Sequence, residues 1–522
     1  MLKKDIKGIL LIIVFLYGII SYFAIDKRFF APLDSSNFFT YIMCKFIFLA
    51  LIFGLFYWCC YIFCSWATRK NEYVRSMLVA LPVILVYLVM TRMLIGTKWY
   101  EITSGDLGLI YESSKKLVPY YDFHFLTTWF YIIASMIVPK PNFIIWFKTI
   151  LIALSALYFA NRIIKRAVIR YSDIVLYWIA FSFIPVIETI TNCHRIHIYI
   201  VFYVFFLTYL LIDYIENRTL SKYKAICLVV VAAMVTQWRV EGIVVSILFI
   251  PLVFFVYKIE IKKLVKIFVL LVAANLIIFI PQTVGTFSSA ENYSDVRMHP
   301  LYSYKITMML KEGLDREANE EDLNKINRVI SIEAIDRLNN DLGDNTYADG
   351  YIRWLDGYVG VRDLYVMDYY RAYEKGEIDS SYGGFGSEEY MDYVIACKNI
   401  FRNNPVLYIK TSFNTLKYVE KSARNDDRSL LRRIVPNVVV TFEYSTIFSI
   451  IILCIIILYN LKNNLPISLI ALILLGQAFI VFVMSPGGYY KYYMPVTTMT
   501  WVLVVCCIGK IIEQKVRKNH KG

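Results

Sequence analysis

The sequence predicts an all-α polytopic membrane protein with about 12 transmembrane helices and a mostly helical soluble domain outside the membrane. Hydrophobic residues make up 58% of the 522 residues, and charged residues make up only 18%. A chain this apolar has too few polar side chains to cover a water-facing surface, but it suits lipid. Apolar stretches of about 20 residues recur along the chain, and one long acidic segment interrupts them.

Twelve apolar stretches set the predicted spans, each near the length that crosses the hydrocarbon core of a bilayer. They are 7–25, 41–66, 77–95, 143–161, 174–190, 196–214, 224–237, 242–258, 266–282, 441–461, 466–484 and 494–511. The basic start MLKKDIK, placed before the first stretch, resembles a signal peptide. Because no small-residue cleavage site follows it, we predict an uncleaved first span.

The stretch 124–138 is also apolar, but it is short and ends in Pro139-Lys140-Pro141. If the N-terminus is cytoplasmic and 124–138 is not a span, the inner segments hold 23 Lys and Arg and the short outer loops hold 9. Cytoplasmic loops carry the excess of Lys and Arg in membrane proteins. A span at 124–138 would place the basic run 161–171 outside, so we predict a helix that lies along the outer face.

The segment 283–440 is predicted to be a soluble outer domain, because it is far longer than a linker. It holds 25 of the 41 Asp and Glu and 20 of the 55 Lys and Arg, a local charge of −5. Ser387 and Asn404 are typical of residues that precede a helix, and SSYGGFG at 380–386 predicts a loop. Apolar residues near helical spacing predict further helices: Leu323, Ile326, Ile330, Ile335, Leu338 and Leu342.

These features divide the chain into three predicted parts. Residues 1–282 form a transmembrane module whose first long outer loop, 96–142, is acidic. The outer domain 283–440 follows, and 441–522 hold the last transmembrane helices and a short basic cytoplasmic tail. The net charge of +14 is explained by basic residues between spans, so no nucleic-acid partner is predicted. The ten cysteines give no disulfide framework and no metal-type CxxC pair.

The first long outer loop carries Asp106, Glu112, Asp122 and His124. An acid held just above the membrane can accept a proton from a substrate hydroxyl, provided that its pKa suits the medium. Asp106 lies between small residues and opens a predicted helix, so we interpret it either as this base or as a helix N-cap. A solvated carboxylate is the simpler alternative for any single acid in this loop.

The segment QWRVEG at 237–242 joins the seventh and eighth predicted spans. Charged residues so near the hydrocarbon are costly, about 2.5–3.5 kcal/mol for an Arg at mid-bilayer and less near the interface. Arg239 is interpreted as a bidentate ligand of a phosphate. The alternative is an Arg239 that reaches toward the interface and pairs with Glu241.

Two further predicted outer turns carry candidate ligands. The turn SPGGYYKYYMP at 485–495 places Lys491 among four tyrosines, including Tyr490. A lysine suits a lipid-linked phosphate, and the tyrosines suit either sugar stacking or an interfacial aromatic belt. His194 and Arg195 lie in the other turn, where the spacing of the possible ligands does not give a metal site.

These motifs, in this order, resemble the GT-C superfamily of integral-membrane glycosyltransferases, which includes protein O-mannosyltransferases and lipid A aminoarabinose transferases. The resembling segments are the loop with Asp106, PYYDF at 119–123, RVEG at 239–242 and NPVLYIK at 404–410, over about 96–511 of the chain. Two extra predicted spans precede the acidic loop, and this loop has GDL in place of a paired-acid motif.

The resemblance implies an enzyme of the bacterial cytoplasmic membrane, with both termini cytoplasmic and the active site facing outside. It implies transfer, with inversion, of a sugar from a polyprenyl-phosphate donor to a glycan, lipid or protein acceptor. Asp106 would be the base, alone or with Asp122, which would bind substrate or a divalent metal; no other cofactor is implied. The implied substrate or phosphate ligands are Arg239, Glu241, Lys491, Tyr490, His194 and Arg195.

Two other classes of protein stay open. A polysaccharide polymerase or ligase shares many spans, a large outer loop and outer arginines, but does not need Asp106. A flippase or transporter needs charged residues at mid-span and often has inverted repeats, and the sequence has neither feature. The polymerase or ligase is therefore the main alternative.

Overall fold

The computed structural model describes residues 2–34, 37–67, 71–97, 105–120, 124–166, 171–191, 195–283, 293–343, 347, 388–425, 437–485 and 487–519. Every regular element in these residues is helical, and none of them forms a strand. The chain divides into two compact units. The first unit is Met1–Ser289, Ile455–Ile473 and Thr498–Gly522, and the second is Ala290–Cys454 and Leu474–Thr497.

The helices of the first 283 residues follow the apolar stretches of the sequence. They are α1 (Leu2–Ile20), α2 (Phe38–Ala67), α3 (Asn71–Thr97), α4 (Gly105–Lys115), α5 (Phe125–Ile137), α6 (Phe143–Ile164), α7 (Tyr171–Ser182), α8 (Ile184–Thr191), α9 (Ile196–Ile215), α10 (Lys222–Trp238), α11 (Ile243–Tyr257) and α12 (Ile261–Thr283). A π-helical turn, Ser21–Asp26, and a short helix, Lys27–Phe29, follow α1, and a 3₁₀ turn, Val240–Gly242, joins α10 to α11.

The remaining helices belong to the predicted outer domain and the predicted last spans. They are α13 (Tyr293–Lys311), α14 (Glu320–Val329), α15 (Ile332–Leu342), α16 (Glu388–Asn403), α17 (Pro405–Asn425), α18 (Asn437–Tyr444), α19 (Thr446–Asn460), α20 (Leu465–Met484) and α21 (Tyr490–Asn519). The predicted starts after Ser387 and after Asn404 agree with α16 and α17.

Eight described helices are long and apolar enough to cross a membrane, which makes this a polytopic membrane protein. The spans are Phe38–Tyr57, Glu72–Met93, Phe143–Ile164, Ile196–Ile215, Val240–Tyr257, Ile261–Gln282, Leu465–Met484 and Tyr490–Ile512. The bent pair Val438–Tyr444 and Thr446–Asn460, at 60°, raises the number to nine if it is one span. The predicted number of about 12 is therefore not confirmed.

Three predicted spans do not reach this length and composition, each for a physical reason. Helix α1 has 19 residues, but four of its first six are charged. The stretch 174–190 is divided between α7 and α8, which meet at Phe183. Helix α10 has 17 residues, a length of about 25 Å at 1.5 Å per residue, and a bilayer core is about 30 Å thick.

Helix α5 corresponds to the apolar stretch 124–138, which the sequence predicts not to be a span. It has 13 residues, and its length of about 20 Å is too short to cross the hydrocarbon core. Eleven of its 13 side chains are buried, so the helix is packed on all sides. Its orientation along the outer face stays a prediction.

A buried ionic network holds α6, α9, α10 and α11 together at their predicted inner ends. Asp213 is fully buried and accepts hydrogen bonds from Arg162 Nη1 at 2.8 Å and from Tyr257, and it also pairs with Lys224. Arg162 Nη2 also pairs with Glu216 Oε2 at 2.6 Å. Buried charges are tolerated where each is paired and hydrogen-bonded, as they are here.

The second unit has its own apolar core, built by α13 to α16. The helical spacing seen in the sequence is confirmed for Leu323, Ile326, Ile330 and Ile335, which are all buried in this core, whereas the side chains of Leu338 and Leu342 lie outside the described part. Glu420 of α17 accepts hydrogen bonds from the first two backbone N–H groups of α19 at 2.6 and 3.0 Å. A carboxylate at the start of a helix accepts hydrogen bonds from these otherwise free N–H groups and interacts favourably with the positive end of the helix dipole.

Candidate functional site

The predicted acids of the first outer loop lie at the edge of what the structure describes. Asp106 is the second residue of α4, in the first helical turn, but its side chain lies outside the described part. Asp122 and His194 also lie outside the described residues. Both interpretations of Asp106, as a catalytic base and as a helix N-cap, therefore stay predictions from the sequence.

The segment QWRVEG forms a sharp break between two apolar helices of the first unit. Helix α10 ends at Trp238, Arg239 is extended, and the 3₁₀ turn begins at Val240. Gly242 is required by this break, because a Cβ there would lie 2.2 Å from the carbonyl oxygen of Val235. Because Arg239 is extended and Glu241 lies in the 3₁₀ turn, neither residue continues the α-helix, and their side chains can contact each other.

Arg239 and Glu241 form an ion pair in which Arg239 Nε donates to Glu241 Oε1. The side chains of Arg239 and Glu241 are only 15% and 9% exposed. The guanidinium carbon of Arg239 also lies 5.8 Å from the ring centroid of Tyr199, on α9, a cation–π arrangement. This pair is the alternative that the sequence left open, so binding of a phosphate by Arg239 stays a proposal.

The end of α10 is fixed against α5 by a buried hydrogen bond. Trp238 Nε1 donates to Thr127 Oγ1 at 2.9 Å. The backbone N–H of Phe125, at the start of α5, donates to Gln282 Oε1 of α12 at 2.9 Å. His124 caps the same helix, because its Nδ1 accepts from the N–H of Leu126 at 3.3 Å. His124 is thus a helix cap in this structure.

Polar side chains are buried near the predicted outer ends of three neighbouring helices of the first unit. Lys148 of α6 is 1% exposed, Glu188 of α8 is 6% exposed and His197 of α9 is 1% exposed. Arg195, the residue before α9, is half-buried. Sequence reasoning missed Lys148, although a single lysine inside a 22-residue apolar helix is the signal that marks an intramembrane functional residue.

The predicted last outer turn belongs to the second unit and places Lys491 among tyrosine rings. Lys491 Nζ lies 4.3 Å from the ring centroid of Tyr489 and 5.6 Å from that of Tyr492. Among the described residues, no Asp or Glu forms an ion pair with Lys491. Because α21 begins at Tyr490 with no acid in its first turn, Lys491 adds its charge to the positive end of the helix dipole.

Close backbone packing fixes this turn against the rest of the second unit. A Cβ at Gly488 would lie 2.4 Å from the carbonyl oxygen of Tyr347 and 2.7 Å from the ring of Tyr418. The ring centroids of Tyr490 and Tyr444 are 5.3 Å apart, and the Tyr490 hydroxyl is 2.8 Å from Thr497 Oγ1. Tyr490 is therefore held within the protein by these two contacts.

The second unit also buries a lysine that sequence reasoning missed. Lys305 of α13 is fully buried, donates to Ser412 Oγ at 2.7 Å and lies 4.9 Å from the ring centroid of Tyr408. No Asp or Glu of the described ranges forms an ion pair with it. Because burial disfavours the charged form, the pKa of Lys305 is lowered to about 7.

A metal site is not formed by the residues that the structure describes, since no three of their His, Cys, Asp or Glu side chains come together. Asp122, which the resemblance implies as a ligand of substrate or metal, lies outside those residues. No family model, curated protein or solved structure matches this chain.

Proposed function

We propose that this protein is a GT-C-type glycosyltransferase of the bacterial cytoplasmic membrane. It moves a sugar from a polyprenyl-phosphate donor to a glycan, lipid or protein acceptor on the outer side. Both termini are cytoplasmic in this proposal, and the site faces outward. The order of motifs in the sequence suggests the reaction, and the environment of Lys491 supports the binding of a phosphate.

Lys491 is the observation that carries the proposal. Its ammonium rests on the faces of Tyr489 and Tyr492 and has no carboxylate partner among the described residues. A cation in the first turn of a helix is unfavourable by itself, because the helix dipole is positive there. An anion at this position would be attracted by both charges. A lipid-linked phosphate has the charge and the membrane location that such a position requires.

Arg239, in the first unit, is proposed separately as a ligand of a phosphate. The guanidinium is always charged and offers five donors, and its Nε is directed to Glu241. Glu241 thereby orients the guanidinium plane, much as a carboxylate orients a catalytic group. The proposal requires the terminal nitrogens to reach the phosphate, which Arg239→Lys tests, because a lysine lacks the planar fork.

The proposed reaction is a single displacement at the anomeric carbon. The acceptor oxygen forms a bond to this carbon while the bond to the phosphate oxygen breaks, and polyprenyl phosphate leaves with the electron pair. Asp106 takes the proton from the acceptor hydroxyl. Positive charge near the leaving phosphate stabilises the charge that develops there. One displacement inverts the anomeric configuration.

The deciding experiment compares Asp106→Asn with Glu112→Gln in the purified protein. Both changes remove a carboxylate from α4, but Glu112 is 61% exposed and pairs only with Lys115 in the described structure. Transfer of sugar from a polyprenyl-phosphate donor should fall by about 10²–10⁴-fold in Asp106→Asn and stay normal in Glu112→Gln. Donor binding, measured separately, should be retained in both variants.

Near-normal turnover of Asp106→Asn would remove the base from the proposal, and polysaccharide polymerisation or ligation would then be favoured. Addition of a chelator to the wild-type protein distinguishes the two roles of Asp122. Lost transfer that Mg²⁺ or Mn²⁺ restores in the wild type but not in Asp122→Asn would indicate that Asp122 binds a metal. Unchanged transfer would leave Asp122 as a substrate ligand.

A further inference from the structure

An elongated groove runs along one face of each of three helices of the first unit, and α7 also lines it with Leu176, Tyr177, Ala180 and Phe181. Helix α6 lines it with Ile152, Ser155, Phe159 and Ile163, α9 with Val201, Phe205, Thr208 and Ile212, and α21 with Thr498, Val502, Val505 and Gly509. In each set the first and last residues are 11 positions apart, a rise of about 16 Å. That length is close to one leaflet of a bilayer whose core is about 30 Å thick.

The walls of this groove are apolar and hold about 1160 Å³ of empty space, counted out to the open side. Four hydroxyls in the lining are already engaged within the protein, one of them that of Tyr177, which donates to the carbonyl of Ala156 at 2.9 Å. Ser155 Oγ donates to the carbonyl of Leu151 at 2.8 Å, Thr189 Oγ1 to that of Val186 at 2.6 Å and Thr208 Oγ1 to a methionine sulfur. Thr498 Oγ1 is the exception, without a partner in the described structure. Such walls suit an acyl chain and not water.

Positive charge is concentrated at one end of the groove. Two cations, Arg166 and Lys510, and one carboxylate, Asp173, line it there, next to the C-terminal end of α9. The nearest carboxylate oxygens to Arg166, on Asp173 and Glu216, are each 3.6 Å away, beyond ordinary hydrogen-bond length. The Nε of Arg166 is buried without a hydrogen-bond partner in the described structure.

The carboxylates at this end are outnumbered by cations. Glu216 Oε2 already accepts from Arg162 at 2.6 Å and from Arg218 at 2.9 Å, whereas Glu216 Oε1 faces Arg166 Nε at 3.6 Å. The ion pairs of this region join four cations, Arg162, Arg166, Arg218 and Lys224, to three carboxylates, Asp173, Asp213 and Glu216. Lys510 is a fifth cation near them, and its Nζ donates to Asn464 and to the Tyr214 hydroxyl. An anion beside Arg166 would accept hydrogen bonds and balance this excess.

We propose that the groove binds one anionic glycerophospholipid, with an acyl chain along α6, α9 and α21 and its phosphate at Arg166 and Lys510. This end of α9 is the predicted inner end, where anionic lipids and basic side chains meet. The donor phosphate of the proposed function belongs to the predicted outer side. The lipid site is therefore independent of the catalytic proposal, and either can fail without the other.

The experiment titrates the purified full-length protein with phosphatidylglycerol and with phosphatidylcholine of the same acyl chains, and native mass spectrometry counts the bound lipids. We expect one phosphatidylglycerol to bind at least about tenfold more tightly than phosphatidylcholine. Arg166→Gln and Lys510→Gln should each remove most of this preference. Lys262→Gln is the matched control, because Lys262 is an exposed cation of the predicted inner side that does not line the groove.

A second pair of variants tests whether the groove holds the acyl chain of the lipid. Ser155→Phe places a ring in the groove and should abolish the single tight site. Ser182→Phe is its control. Like Ser155, Ser182 donates a hydrogen bond to the carbonyl four residues earlier in its helix, but it is exposed and lies outside the groove. Each variant is first checked for unchanged gel-filtration behaviour.

Three outcomes would overturn the proposal. They are equal binding of the two lipids, tight binding of phosphatidylglycerol that survives both Arg166→Gln and Lys510→Gln, and retention of the tight site in Ser155→Phe. Tighter binding of polyprenyl phosphate than of phosphatidylglycerol, lost in Arg166→Gln, would also overturn it, because the groove would then be a donor site.

Discussion

Arg239 and Glu241 pair across a break between α10 and α11, with the guanidinium over the ring of Tyr199. In a continuous helix, residues two positions apart point to different faces and do not meet. The extended conformation of Arg239 and the 3₁₀ turn after it make the contact possible. The pair joins the helix break to α9, and its stability can be measured separately from any catalytic role.

The first prediction concerns this ion pair. Arg239→Ala should destabilise the protein by as much as about 3 kcal/mol, because Glu241 would keep its charge in a mostly buried position. Glu241→Ala should cost a similar amount for the same reason. The double variant should cost clearly less than the sum of the two. Thermal unfolding in one detergent measures all three, and additive effects would show that the two side chains do not interact.

The second prediction concerns the backbone at Gly242. Gly242→Ala should destabilise the protein by about 1–3 kcal/mol or more, because its Cβ would lie 2.2 Å from a backbone oxygen. Gly54→Ala is the matched control. Gly54 lies in α2 with nothing within 4 Å of its Cβ position, so the change should be neutral or stabilising by about 0.5–1 kcal/mol. Equal melting temperatures for the two variants would contradict the described turn.

The third prediction concerns the buried Lys305. Burial lowers the pKa of Lys305 to about 7 in the folded protein, whereas an unfolded lysine has a pKa of about 10.4. Between these two values the unfolded chain binds a proton that the folded chain does not. Stability from this group therefore rises with pH across that window, and the full penalty is present below pH 7.

Lys305→Met removes the penalty and should raise the melting temperature most at pH 6 to 7. The gain over the wild type should shrink as the pH approaches 10, at about 1.4 kcal/mol for each pH unit at most. Lys325→Met is the control, because Lys325 lies on α14 of the same unit and pairs with the exposed Glu321. A gain that does not change with pH would show that Lys305 is not buried as an unpaired amine.

The fourth prediction concerns the membrane topology. A cysteine at Glu389, an exposed residue of α16, should react with a membrane-impermeant maleimide in intact cells. A cysteine at the exposed Lys165 should react only after the membrane is opened. Both are compared with the parent chain, whose Cys227 and Cys454 are already exposed. Labelling of Lys165→Cys in intact cells would mean that 124–138 crosses the membrane.

The sequence by itself determines most of the helices. Apolar length predicts the eight described spans, because a bilayer core demands about 20 apolar residues. The shortness of α5 and the helical spacing of Leu323, Ile326, Ile330 and Ile335 are likewise readable without a structure. Three predicted spans are not confirmed as spans by the structure. Helix α1 has a charged start, the stretch 174–190 is broken at Phe183, and α10 is shorter than the bilayer core is thick.

Only the tertiary structure decides which helix faces meet. Val201 is 9% exposed in the groove lining, whereas Ile247 of α11 is 66% exposed, although both are β-branched aliphatic residues in apolar helices. In a soluble protein the buried face would be apolar and the other polar, so the sequence would distinguish them. In a membrane, lipid and protein interior are equally apolar, and packing alone separates the two faces. For this reason the Arg239–Tyr199 contact, the approach of Gly242 to Val235 and the apolar groove along α6, α9 and α21 are visible only in the folded chain.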